Sequence, residues 1–153
     1  MRTVKNILGQ KGPHFHYIDA SSSALDALLL MQSGNLSYVI VMDKGKYAGV
    51  LSERDYTRKV LLQNKNAATT KVSEIMTNDL PAIDSSSTAE KAMILMNGCQ
   101  SKYLPVFEEF DFSGVLTIHD LMREAMQDSE LKAVADKVIT QTDTAGEYVH
   151  YWI

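Results

Sequence analysis

Two stretches of this chain, residues 18–61 and 83–126, align without a gap at an offset of 65. Identity recurs at Asp19 and Asp84, Met31 and Met96, Tyr38 and Tyr103, Gly49 and Gly114, Asp55 and Asp120, and Arg58 and Arg123. Most other pairs keep their chemical class, as Ser52 does with Thr117. A period of this length, present twice, is not a solenoid, which needs at least about three short repeats for stability. It predicts two copies of one supersecondary unit packed about a pseudo-twofold axis, with clefts between the copies. Neither copy is large enough to be comfortable alone, because a unit of about 60 residues buries only about 60% of its unfolded surface. The 153 residues are therefore expected to fold as one body.

Within each copy the pattern is α/β, in the order β-α-β-β-α. A short extended piece ends at an acid (Asp19, Asp84), and a serine cluster then supplies helix-start chemistry. Apolar residues follow at i, i+3, i+4 and i+7: Ala24, Ala27, Leu28 and Met31, then Ala89, Ala92, Met93 and Met96. That spacing predicts an amphipathic helix in each copy, closed by Gly34 in the first and Asn97-Gly98 in the second. Two strands come next, 38–42 with 47–51 and 103–107 with 112–116, each pair a hairpin pattern. Pro105 cannot donate to a ladder, so its strand is predicted to lie at an edge or to carry a bulge. A second helix is entered at Ser52 or Thr117. A fainter echo lies at an offset of 68, where Val4, Ile7 and Leu8 match Val72, Ile75 and Met76 as short lead-in turns. Residues 63–71 read as a polar linker and 127–140 as a further helix. The tail from Glu147 to Ile153 is apolar enough to pack on the body or on a partner chain.

The helix starts carry the chemistry. Ser52-Glu53-Arg54-Asp55 and Thr117-Ile118-His119-Asp120 are capping boxes by pattern, in which hydroxyl and carboxylate satisfy free amides. They are also candidate ligand sites. Gly49 and Gly114 precede them at equal spacing, and a strand glycine marks close approach of a ligand or of another backbone. Helix N-termini favour anions, and Arg54, Arg58 and Lys59 add cationic groups around the first.

The run Gly49-Val50-Leu51-Ser52-Glu53-Arg54-Asp55-Tyr56-Thr57-Arg58-Lys59, its partner Gly114 to Asp120 and the lead-in Val72-Ser73-Glu74-Ile75-Met76-Thr77 resemble a tandem cystathionine β-synthase (CBS) domain pair, or Bateman module. The resemblance covers roughly residues 4–127 and is nearest to stand-alone CBS-pair proteins. It divides the chain into a first motif with its lead-in at 1–66, a second at 67–127, and a C-terminal helix and tail at 128–153. It implies a non-catalytic regulatory module that binds AMP, ADP, ATP, NAD or S-adenosylmethionine between the repeats and signals energy or redox state to a partner protein. Asp55 and Asp120 would hold ribose hydroxyls, since a carboxylate can accept both hydrogens of a cis-diol. Ser52 and Thr117 would meet ribose or the first phosphate. Adenine would lie near Ile18, Ile83, Val39 and Leu104, and Arg54, Arg58 and Lys59 would meet phosphates. The second copy departs from this pattern: His119 replaces Arg54, and Glu124 replaces Lys59. Unequal sites follow, with polyphosphate weaker near Asp120. The alternative is a structural or interaction scaffold whose boxes only cap helices.

Composition narrows the remaining classes. A net charge of −4 argues against a nucleic-acid footprint. There is no membrane-length apolar run and no signal-peptide core at the N-terminus, so a cytoplasmic protein is expected. Cys99 is the single cysteine, which excludes a disulfide framework, and its expected setting is buried and inert. His14 and His16 lack a recognisable third ligand, so no metal is expected. The methionines read as core filler. No Walker loop, H-E-x-x-H or activated nucleophile is present, so no enzymatic activity is expected. A homodimer is expected from the family's habit and the apolar tail.

Overall fold

The computed structural model describes residues 2–12 and 15–143; His14 and the apolar tail from Glu147 lie outside them. Each sequence copy forms a three-stranded sheet and two helices. In the first, β1 (Tyr17–Asp19) runs parallel to β2 (Tyr38–Asp43), which pairs antiparallel with β3 (Lys46–Ser52). In the second, β4 (Ile83–Asp84), β5 (Tyr103–Glu108) and β6 (Asp111–Thr117) repeat that order. The crossover helices are α2 (Ala24–Gly34) and α5 (Ala89–Cys99), with Ser23 and Thr88 accepting from the amides three residues on. Helix α3 (Glu53–Tyr56) passes into a π-helical turn, Thr57–Leu61, whereas its counterpart α6 (Ile118–Ala125) is α-helical throughout. The Thr57 hydroxyl donates to the Glu53 carbonyl at 3.0 Å where the turn widens, and Met122 at the matching position has no such group.

The compact units do not follow chain order. Among the described residues, 15–80 form one; 2–12 and 81–143 form the other. Each lead-in thus belongs to the unit of the opposite copy. Helix α1 (Val4–Lys11) joins the second copy through amide bonds from Val4 to the Ser87 carbonyl and from Lys5 to the Ser85 carbonyl, both 2.8 Å. Helix α4 (Val72–Ile75) joins the first copy, with Val72 and Ser73 donating to the carbonyls of Ser22 and Ala20. The first-copy unit continues past residue 66 to Leu80, and the polar residues 63–71 are bonded to α2. Ala24 and Leu25 donate to the carbonyls of Thr70 and Ala67, and Thr70 is buried.

The first-copy core gathers Ala24, Ala27 and Met31 of α2, Val39 and Val41 of β2, Leu51, Val60, and Val72 and Ile75 of α4. In the second-copy unit Val4, Ile7 and Leu8 are buried, as are Ala89, Ala92 and Met96. Helix α7 (Ser129–Asp143) packs on α5 and α6, with Leu131 fully enclosed.

Three local expectations are corrected. Gly34 does not end α2 through a left-handed turn. Asn35 takes that conformation (φ 50°), as Gln100 does after α5 (φ 53°). Gly34 is the last residue of α2, and a Cβ there would meet the flexible end of the Leu36 side chain, at 2.9 Å. Pro105 is not at an edge: β5 is the central strand. The sheet accommodates it by shortening the neighbour. In the first copy the Ile40 amide, equivalent to Pro105, donates to the His16 carbonyl at 3.0 Å. Proline cannot make that bond, and β4 has two residues where β1 has three. The register shift one residue on occurs in both copies and so is not proline's doing. Finally, Cys99 is exposed.

Candidate functional site

Extended backbone at Ser52 (φ −108°, ψ 163°) and Thr117 (φ −111°, ψ 161°) turns each hydroxyl onto the first amides of the following helix. Both capping boxes close. Asp55 Oδ2 accepts from the Ser52 amide at 3.0 Å and hydroxyl at 3.1 Å. Asp120 Oδ2 accepts from the Thr117 amide at 2.8 Å and hydroxyl at 2.9 Å. These carboxylates are 8% and 5% exposed, unusual for aspartate unless it is paired. Pairing is supplied in each unit by a lysine. Lys59 Nζ stands 3.0 Å from Asp55 Oδ1 and donates to the Ile75 carbonyl at 3.0 Å. Lys11 Nζ stands 2.8 Å from Asp120 Oδ2 and donates to the Val115 carbonyl at 3.1 Å.

The exchanged lead-ins therefore reach the sites. From the segment after α4, the Thr77 hydroxyl donates to Asp55 Oδ1 at 2.9 Å, and α1 brings Lys11 to Asp120. Neither Thr77 nor Lys11 was a candidate from sequence. Thr77 stood inside the lead-in motif, but nothing in it pointed to Asp55; Lys11 had no matching residue at all. The glycines also separate. A Cβ on Gly49 would lie 2.6 Å from the Thr77 carbonyl oxygen, so another backbone is what approaches it. Gly114 instead holds φ 145°, a conformation side chains disfavour.

The remaining candidates divide by unit. In the first-copy unit Arg54 is half-buried and Arg58 exposed, both on the stretch that carries Lys59. Ile18 is half-buried in β1, and Val39 is fully enclosed in β2. In the second-copy unit His119 is exposed, while Ile83 and Leu104 lie in the core. Val39 and Leu104 thus present no open surface to a base, and Ile18 retains some. Glu124, which broke the cationic pattern, is buried and paired with Arg2 at 3.2 Å. Its charge is answered locally by the lead-in. Elsewhere, hydrogen bonds from Ser21 hold the Asp19 carboxyl below its ordinary value, and Ser86 does the same for Asp84. Among the described residues no cluster of three or more His, Cys, Asp or Glu is placed to hold a metal. No described helix is long and apolar enough to cross a membrane.

Known proteins match this arrangement over most of its length. A mitochondrial CBS domain-containing protein of Arabidopsis thaliana, CBSX3, is 27% identical over 135 residues, covering 82% of this chain and 66% of its own length. The crystal structure of a CBS domain, NE2398, superposes with a TM-score of 0.76 at 34% identity, covering 82% of this chain and 98% of that one. The structure of CBSX2 in complex with AMP superposes with a TM-score of 0.66 at 24% identity, covering 83% and 98%, a likeness of fold. The CBS domain family model matches twice, at residues 4–62 and 72–127. With two such matches, each reaching from a lead-in through its capped carboxylate helix, the chain belongs to the CBS domain family.

Proposed function

We propose that this chain is a non-catalytic regulatory module that binds an adenosyl nucleotide at Asp55 and Asp120 and reports energy or redox state to a partner protein. The observation that carries this reading is the pair of buried carboxylates, each held at a helix start by a hydroxyl and an amide. A carboxylate fixed in this way is prepared to accept ribose hydroxyls without further ordering. Beside the first, Arg54 and Arg58 supply charge for phosphate. AMP, ADP, ATP, NAD and S-adenosylmethionine share the adenosyl group, and the AMP complex of the structural neighbour CBSX2 supports the class. Such a ligand switches a partner only by binding one state of the module better than another. A homodimer is the expected form in which it acts.

One observation favours a second reading. Both boxes are complete capping motifs and both carboxylates already have lysine partners, which is what an interaction scaffold without a ligand would need. Thermal melting with and without AMP, ATP or NAD separates the two. Ligand at about 100 times its dissociation constant adds roughly 2.7 kcal/mol, a clear rise in midpoint. No shift with any adenosyl compound would leave the scaffold.

A further inference from the structure

The two hairpin tips hold the same places in the duplicated unit and carry opposite chemistry. Asp43-Lys44-Gly45-Lys46 stands in the first copy where Glu108-Glu109-Phe110-Asp111 stands in the second. The first tip suits its turn. Lys44 (φ 50°) and Gly45 (φ 76°) are both left-handed, and glycine is favoured at the second of those places. In the second tip only Glu109 is left-handed (φ 56°), at a place where such a turn favours glycine. Phe110 beside it is 97% exposed, more than any other large apolar side chain among the described residues. Departures from local turn chemistry of this kind gather at functional sites.

The tip is also braced. Phe107 and Phe112, directly behind it, meet edge to face with ring centroids 5.7 Å apart. Three of the chain's four phenylalanines thus lie in one hairpin, where the first copy has Met42, Gly45 and Tyr47. Glu108, Glu109 and Asp111 are all exposed around Phe110. Lys5 of α1 answers Glu108, but among the described residues no ion pair reaches Glu109 or Asp111. A lone surface phenylalanine would need no explanation. One set on a braced turn, between acids without ion partners, is a different object.

The charge selects the occupant. These acids repel the phosphates of nucleic acid and the anionic surfaces of membranes, and they attract lysine and arginine. Building on the reading of the chain as a module that acts through a partner protein, we propose that the 108–111 tip is its docking knob. Phe110 enters an apolar pocket of that partner, and lysine or arginine on the pocket's rim meets Glu109 and Asp111. A buried aromatic anchor is the kind of contact that dominates interface energies, while rim charges steer the approach and fix the register. The first tip, with lysines and a glycine, does not fit the same pocket. Docking therefore belongs to the second-copy unit alone.

Photocrosslinking from the tip tests this. The whole chain, with p-benzoylphenylalanine in place of Phe110, is irradiated in its native cells, and the same probe in place of Lys46 is the control. One protein should be captured from position 110 and not from position 46. Glu109→Lys with Asp111→Lys should abolish that capture. Phe110→Ser should weaken binding of the purified captured protein at least about tenfold. Glu109→Lys with Phe110→Gly, which copies the first tip, should bind no better than Phe110→Ser yet melt no lower than wild type. A fall of several degrees in that melt would make Phe110 a structural residue and overturn the knob. So would capture of a second copy of this chain, capture indifferent to the charge reversal, or Phe110-dependent binding to phosphatidylcholine vesicles. Capture from position 46 alone would overturn the knob and leave the partner reading standing. Capture from neither position, with no protein co-purifying with the whole chain, would overturn both.

Discussion

Replacing Gly49 by alanine should destabilise the first-copy unit by an amount that follows from one contact. The added Cβ would stand 2.6 Å from the Thr77 carbonyl oxygen, 3.2 Å from Met76 Sδ and 3.3 Å from the Thr77 carbonyl carbon. The methionine can bend away, but the carbonyl cannot, because it is part of a two-bond bridge. The Val50 amide donates to it at 2.9 Å, and the Thr77 amide donates back to the Val50 carbonyl at 2.8 Å. Ordinary contact begins near 3.4 Å, so the segment must retreat by about 0.8 Å and both bonds stretch. Overpacking of this kind costs about 1–3 kcal/mol, and each weakened bond up to about 1 kcal/mol. Because the two effects overlap, the total is about 2–4 kcal/mol. In a chain of this length that lowers the melting midpoint by roughly 4–16 °C. Urea denaturation followed by circular dichroism measures it, with Gly9→Ala as the control. Gly9 lies in α1 with nothing within 4 Å of an added Cβ, so alanine there should stabilise by about 0.5–1 kcal/mol. A Gly49→Ala loss below about 0.5 kcal/mol would refute the claim that Thr77 backbone is what excludes a side chain.

Two further perturbations probe other parts of the molecule. Burial pushes the Tyr47 hydroxyl up from 10.0 to about 12. The fold therefore favours its protonated form, and that contribution is whole below pH 10 and lost as pH rises towards 12. Tyr47→Phe should flatten this alkaline loss, by at most about 2 kcal/mol, in urea midpoints taken across that range; an unchanged slope would count against it. Arg2→Ala should leave the buried Glu124 carboxylate without its 3.2 Å partner. Since Arg2 is itself 45% exposed, the cost should be about 1–2 kcal/mol, and adding Glu124→Gln should recover most of it; no recovery would mean the charge is not the cause.

The duplication made much of this legible. Register alone placed Ser52 over Thr117 and Asp55 over Asp120, and capping geometry is local enough to be read from four residues. The lysine that completes each site was harder to see. Lys59 was visible as one of three cationic residues around the first helix start, yet its expected partner was phosphate and not the carboxylate itself. Lys11 was invisible because 109 residues separate it from Asp120, and no local pattern reports a contact at that range. A separation of 122 residues hid Arg2, which answers the charge of Glu124, in the same way. For Pro105 the expectation was an edge or a bulge: the strand is central, an irregularity lies one residue on between Val106 and Phe107, and β4 is too short to need the missing amide. Gly49 is fixed by the backbone that approaches it, which sequence cannot say.

The exchange of lead-ins sets an order on synthesis. As the chain leaves the ribosome, every part of the unit that ends at Leu80 is available once that residue has emerged. The other unit has its first helix made before the first copy and must wait for the strands and helices that enclose it. At about 5–20 residues per second, Val4, Ile7 and Leu8 spend on the order of several seconds without their partners. A chaperone or a mispaired copy has its opportunity in that interval. A break in the chain near residue 66, where the sequence copies seem to part, would separate α4 from the sheet it completes. The two compact units are thus offset from the two sequence copies.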